Sequence, residues 1–158
     1  MGYPAATMSC HVSNHKGICE NPKQLKFRFD VAIGGALGYE FHLPNASDGI
    51  KEQIKKQIAD YRLCENLIFT GDYYPIANPF LCNYSAYYYI NDDKSEILLS
   101  FLQHSPQDEE EVVLTVNQAD EKALYVDVFG GDEYSGESLK KGIKWHTEDS
   151  DCNSKVWY

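Results

Sequence analysis

Long apolar runs are missing from this sequence: no stretch approaches the ~20 residues that a bilayer-spanning helix needs. The first residues also lack the basic-then-apolar order of a secretory signal. No membrane association and no export are therefore expected. Basic residues are few, 14 Lys and Arg against 24 Asp and Glu, for a net charge of -10. That charge repels phosphate backbones and anionic headgroups, so nucleic-acid and membrane-surface partners are disfavoured. P-loop, G-x-G-x-x-G and G-x-S-x-G motifs are absent, which removes support for nucleotide binding and for nucleophile-elbow hydrolysis. No C-x-x-C pair occurs among Cys10, Cys19, Cys64, Cys82 and Cys152. An odd, scattered set of this kind reads as reduced thiols in a cytoplasmic protein.

What remains is a chain of 158 residues, 43% hydrophobic, with twelve tyrosines and seven phenylalanines. Enough apolar surface exists for a core, and the aromatic content favours strands. The alternation of Tyr39, Phe41 and Leu43 with Glu40 and His42 predicts a strand over 38–43, stopped by Pro44. The apolar stretch around 8–12 reads as another strand and 25–36 as a short helix closed by Gly34 and Gly35. Ile50, Ile54, Ile58 and Tyr61 recur at helical spacing, so a helix is predicted from Asp48 to about Cys64, with Ser47 as its N-cap. Beyond Gly71 helical periodicity does not return. Residues 84–90 and 95–101 flank the polar turn Asn91-Asp92-Asp93-Lys94 and predict a hairpin. Residues 112–116 and 124–129 flank a second polar turn, and 156–158 read as a closing strand. A boundary near Thr70 thus separates an α/β part, 1–69, from an antiparallel all-β part, 70–158.

Chemistry-bearing patterns are weak when taken singly. Cys10-His11, His15 and Cys19 crowd one segment rather than forming two separated knuckles, so no metal site is assigned. S-x-x-K occurs twice, at Ser13 to Lys16 and Ser138 to Lys141, as chance allows. Glu40, Asp72 and Asp127 read as solvated carboxylates, and no pair stands out for glycosidic chemistry. The charge run from Asp108 to Glu111 reads as a solvated loop.

Tyr3-Pro4, then Met8-Ser9-Cys10-His11-Val12-Ser13 and Asn14-His15, resemble the Y-P…M-G-x-H-V-S…N-H stretch of the α-galactosidases of glycoside hydrolase family 36. Arg28 to Ala32, Gly38-Tyr39-Glu40, Ser47-Asp48, Gly71 to Tyr74, Asn78-Pro79-Phe80, Asp93 to Glu96 and Tyr134-Ser135-Gly136 follow in the family's order. The resemblance implies the last two βα units of a (β/α)8 barrel over 1–69 and an antiparallel β-sandwich over 70–158. It further implies retaining hydrolysis of terminal α-galactosides such as raffinose-type oligosaccharides, with neither metal nor organic cofactor. His11, Asn14 and His15 would then sit at the rim of the substrate pocket. The family's two catalytic aspartates lie in motifs that this sequence does not contain, Lys144-Trp145-His146 being a superficial match only. The chain by itself is therefore expected to be inactive. Ser9-Cys10 departs from the family's glycine and small residue, next to His11. Two rival expectations concern the tyrosine-rich β part: a non-catalytic carbohydrate-binding module, or a contact surface for a homo-oligomer.

Overall fold

A computed structural model describes residues 4–105, 111–147 and 153–158. Tyr3, the acidic residues Asp108, Glu109 and Glu110, and Cys152 lie outside the described residues. The chain divides into two compact units, Met1–Phe69 and Thr70–Tyr158. No described helix is long and apolar enough to cross a membrane.

The first unit is a β-α-β-α succession: β1 (Ser9–Ser13), α1 (Pro22–Ala32), β2 (Ala36–Glu40) and α2 (Asp48–Thr70). The two strands pair in parallel, Ser9 opposite Ala36 through Ser13 opposite Glu40. Because strand side chains alternate, the pair has two distinct faces. Cys10, Val12, Leu37 and Tyr39 share the face on which the helices pack, and Val12 is fully buried there. Ser9, His11, Ser13, Ala36, Gly38 and Glu40 share the other face.

Both helices begin where local chemistry dictates. The Asn21 side chain accepts from the Lys23 amide at 2.9 Å, and Pro22 takes the first-turn position where its missing N–H costs nothing. Ser47 accepts from the Ile50 amide at 3.4 Å, and Asp48 places negative charge at the positive end of α2. The buried stripe of α2 is Ile50, Ile54, Gln57, Tyr61, Cys64, Leu67 and Ile68. Ile58, expected on that stripe, is instead exposed, because a four-three-four spacing turns Gln57 inward. The buried Gln57 amide is engaged at both ends: Oε1 accepts from Tyr39 Oη at 2.9 Å and Nε2 donates to the Leu25 carbonyl at 3.4 Å. One side chain thus ties α2 to β2 and α1. Tyr61 adds a second tie, donating to the Gly35 carbonyl at 3.0 Å. The helix also runs beyond Cys64 to Thr70, and β2 ends at Glu40, with Leu43–Asn45 forming a 3-10 turn rather than more strand.

In the second unit, β3 (Asp72–Ala77), β4 (Tyr84–Ile90) and β5 (Ile97–Gln103) are followed by β6 (Glu111–Leu114), β7 (Leu124–Val126) and β8 (Glu133–Ser135). Then come α3 (Gly136–Lys141), β9 (Ile143–His146) and β10 (Asn153–Trp157). A four-stranded antiparallel sheet has the order β10-β5-β4-β3, and β6-β9 and β7-β8 form two-stranded ribbons. The β4-β5 hairpin closes as predicted: Asn91 Oδ1 accepts from the Glu96 amide at 3.0 Å, and Lys94 adopts the left-handed φ of 62°. The second expected hairpin does not form. β6 pairs with β9 and β7 with β8, since Val112 and Leu114 find their inward partners in Ile143 and Trp145 rather than in the next strand.

One face of the large sheet and the β6-β9 ribbon enclose the core, built from Ala86, Tyr88, Ile90, Leu99, Phe101, Val112 and Leu114 among others. Tyr88 stacks on Tyr74 at a centroid distance of 5.1 Å, and Trp145 meets Trp157 edge-on at 5.2 Å. Of the three consecutive tyrosines on β4, Tyr88 and Tyr89 are buried, so their rings are core rather than an exposed platform. Pro75 is tolerated because β3 is an edge strand, where a missing N–H breaks no inner ladder.

Candidate functional site

The uncovered face of the β1-β2 pair carries the polar residues. His11 Nδ1 lies 2.9 Å from Glu40 Oε1, and Ser9 Oγ lies 2.7 Å from His11 Nε2. A carboxylate oxygen accepts, so Nδ1 donates to Glu40, and in the tautomer that carries its proton there Nε2 accepts from the Ser9 hydroxyl. The imidazole is held from both sides while remaining about half exposed, with side-chain exposures of 45% for His11 and 58% for Glu40. Space for the ring comes from Gly38, its partner in register: a Cβ there would lie 2.8 Å from His11 Cδ2. Hydroxyl, imidazole and carboxylate stand in the order of a hydrolytic triad. Ser9 nevertheless opens β1, at the amino end of the strand rather than on a tight strand-to-helix turn with free amide donors, so the arrangement orients the imidazole.

Asn14 and His15 follow β1 directly. The Asn14 side chain accepts from the Cys19 amide at 2.9 Å, and its carbonyl accepts from the Gly17 amide at 3.2 Å. This closes a tight loop in which Lys16 and Gly17 both take left-handed φ, 55° and 72°. The Cys19 thiol donates to the Ser13 carbonyl at 3.4 Å, and burial pushes that thiol's pKa up, against a smaller lowering by Arg28. Burial raises the Cys10 thiol as well. Among the described residues no three His, Cys, Asp or Glu side chains gather around a point where an ion would fit.

The loops after β1 and β2 meet over a cleft of about 210 Å³ lined by Asn14, Gly17, Glu20, Phe41, His42 and Asn45 among others. Of the three predicted rim residues, Asn14 lines this cleft, His11 stands on the adjoining sheet face, and His15 is exposed at the start of the loop. Glu40 and Ser9 are the residues that sequence reasoning missed. From sequence alone Glu40 reads as a solvated strand carboxylate. The signal that reveals it is parallel register, which puts it on the same face as His11, 29 residues earlier. Lys144-Trp145-His146 lies on β9 in the other unit.

A parallel strand pair with helices on one face, and polar groups and loops collected at its carboxyl ends, is the α/β arrangement in which ligands bind at strand ends. Comparison with known proteins narrows the class. Residues 1–71 match the melibiase family model. The α-galactosidase AgaA of Geobacillus stearothermophilus is 28% identical over 163 aligned positions, which cover 98% of this chain and 22% of AgaA. A probable α-galactosidase G of Aspergillus terreus is 31% identical over 144 positions, 88% of this chain and 19% of that protein. Among solved structures, a variant of the family 36 AgaA in complex with raffinose superposes with a TM-score of 0.85 at 28% identity. That superposition covers 98% of this chain and 22% of AgaA. Along nearly its whole length the chain is thus similar to the α-galactosidases of glycoside hydrolase family 36, and the comparisons support a fragment of such a protein. It spans about one fifth of the length of these relatives.

Proposed function

We propose that this chain is the C-terminal part of a retaining α-galactosidase, in which Met1–Phe69 supplies the last two βα units of the catalytic barrel and Thr70–Tyr158 a β-sandwich. His11, Asn14 and His15, with Glu40 and Ser9 behind them, form part of the rim that receives a terminal α-galactosyl group of raffinose-type oligosaccharides. The observation that carries this reading is the polar, uncovered face of β1-β2, ending in a loop-lined cleft, in a chain that superposes along its length on a raffinose-binding relative. A hydroxyl-rich sugar needs such fixed donors and acceptors, and barrel enzymes present them at strand ends.

Retaining hydrolysis requires two carboxyl groups about 5 Å apart, one as nucleophile and one as acid and base. Among the described residues of the β1-β2 pair, Glu40 is the single carboxylate on the uncovered face, and it is engaged with His11. The chain alone therefore binds part of the sugar without cleaving it, and a parent barrel supplies the reacting pair. A reducing compartment accords with Cys10, Cys19 and Cys82, which are free thiols among the described residues.

The test is a chimera in which this chain replaces the matching segment of AgaA. Hydrolysis of p-nitrophenyl α-galactoside should be at background for the chain and restored in the chimera. His11→Ala in the chimera should lower kcat/KM at least tenfold. A folded but inactive chimera, or one indifferent to His11, would falsify the assignment.

A further inference from the structure

Far from the strand-end site in sequence, and wholly within the β-rich unit, a cavity of about 160 Å³ opens beneath the β7-β8 ribbon. Its walls are aromatic: Tyr125 and Tyr134 point inward from the ribbon, and Trp157 and Tyr158 close it from the chain terminus. The floor is apolar, from Leu99, Val116 and Leu139. Leu124 and Val126, the exposed neighbours of Tyr125 on β7, border it as well. Two carboxylates, Glu96 and Asp127, line it as well.

Asp127 is the informative group. Its side chain is 1% exposed, and Oδ1 is fully used, accepting from the Phe129 amide at 3.0 Å and the Tyr158 amide at 3.1 Å. Oδ2 is buried and has no hydrogen-bond donor, only the Lys155 ammonium at 3.6 Å. A buried carboxylate oxygen lacking a hydrogen bond costs free energy, and a ligand hydroxyl would relieve it. Glu96 offers a second acceptor whose Oε1 already takes Tyr158 Oη at 2.9 Å.

We infer that this cavity is a second, non-catalytic binding site for a single neutral sugar ring, whose apolar face packs on the aromatic walls while its hydroxyls donate to Asp127 and Glu96. The lining excludes other ligand classes by charge. Two carboxylates repel anions such as phosphate. A cation is already in place, because Lys155 Nζ lies 5.6 Å from the Trp157 ring centroid as well as beside Asp127. The features that would attract an ammonium ligand are thereby occupied by the protein's own. A neutral ligand with hydroxyl donors and one apolar face is what remains. The volume limits it to one ring rather than a drug-sized molecule. The choice of galactose as probe rests on the function proposed above; the site does not.

Trp145 and Trp157 are the only tryptophans, so Trp145→Phe leaves Trp157 as a reporter in the cavity wall. Titrating the full chain with methyl α-galactoside should change its emission saturably, with Kd of about 1–10 mM, the weak range for a small ligand. Amide shifts in two-dimensional NMR of the unsubstituted chain should centre on Tyr125, Val126, Tyr134 and Trp157. Leu139→Phe, which enlarges a side chain of the cavity floor, should weaken binding at least tenfold. Should that variant not fold, the shift map decides alone. Shifts confined to His11 and Glu40 would overturn this inference while supporting the strand-end site. Saturation by tetramethylammonium but not by sugar would overturn it in favour of a cation site. No sugar-dependent shift anywhere would also overturn it, and leaves the chimera as the separate test of the α-galactosidase reading.

Discussion

The same substitution, glycine to alanine, should have opposite effects at two positions, and the geometry says by how much. Gly136 opens α3, and its amide donates to the Ala123 carbonyl at 2.9 Å. A Cβ built there would overlap the Asp120 carbonyl oxygen, a backbone atom that cannot rotate aside. Overpacking of a core costs about 1–3 kcal/mol, and a backbone obstacle puts Gly136→Ala at the upper end, about 3 kcal/mol. At roughly 4–8 °C per kcal/mol for a unit of this size, Tm should drop by at least about 12 °C. Gly49, in the first turn of α2, has open space where its Cβ would stand. Gly49→Ala there removes only the backbone-entropy cost of glycine and should stabilise by about 0.5–1 kcal/mol, or about 2–8 °C. Two signals separate the units. Both tryptophans belong to the second, whereas α1 and α2, in the first, dominate circular dichroism at 222 nm. A fluorescence Tm for Gly136→Ala equal to that of the unsubstituted chain, or a helical Tm lowered by Gly49→Ala, would refute the reasoning.

Gln57→Leu should destabilise the first unit by about 1–3 kcal/mol, because it strands the Tyr39 hydroxyl and the Leu25 carbonyl. Urea melts should show Gln57→Leu with Tyr39→Phe losing less than the sum of the two single changes. Ser135→Ala removes the acceptor for the Ser138 amide, 3.1 Å away, and should cost about 1 kcal/mol in the same assay; an unchanged midpoint would exclude that cap. Stability should also fall in alkali. Burial is the leading cause of raised pKa values at Tyr39, Tyr61, Tyr73, Tyr88 and Tyr134. The folded chain therefore keeps these protons longer than the unfolded one. Their contribution is intact below the unfolded value near 10 and is lost as pH rises above it. Thermal melts at pH 8, 10 and 11 should show a progressive fall, and a flat profile would count against buried hydroxyls.

Local order was legible in the sequence wherever one element's own pattern decides it. The start of α2 at Asp48 follows from Ser47 and the isoleucine spacing, and the β4-β5 hairpin follows from its polar turn. The end of α2 was not, because Glu65 and Asn66 interrupt the apolar pattern before Leu67 and Ile68 resume it. The burial of Gln57 is illegible for a related reason: an amide goes inside only where partners await it, and those partners come from β2 and α1. β8 spans three residues with no strand signature, and the β6-β9 pairing joins segments about thirty residues apart. Such pairings are decided by which side chains fill a common core, which adjacency along the chain does not reveal. The candidate site divides in the same way. Asn14 and His15 are readable as a loop after a strand, whereas the His11–Glu40 contact exists only once two strands are set side by side in register.

That register also gives weight to the departure at Ser9. The resemblance to family 36 α-galactosidases places a glycine where this chain has Ser9, and the structure puts its hydroxyl against His11 Nε2. With glycine there, the imidazole would keep Glu40 on one nitrogen and leave the other for a sugar hydroxyl. With serine, both nitrogens are engaged within the protein, and a ligand approaching this face meets the serine hydroxyl as well as the ring edge. Gly38 holds the matching position on β2 open, so the ring cannot have been turned aside by crowding from that strand. If this face is the rim proposed above, the serine changes its hydrogen-bond supply at His11. A substrate that relied on Nε2 would have to displace a 2.7 Å contact to reach it, and the cost falls on binding before it falls on any bond-breaking step.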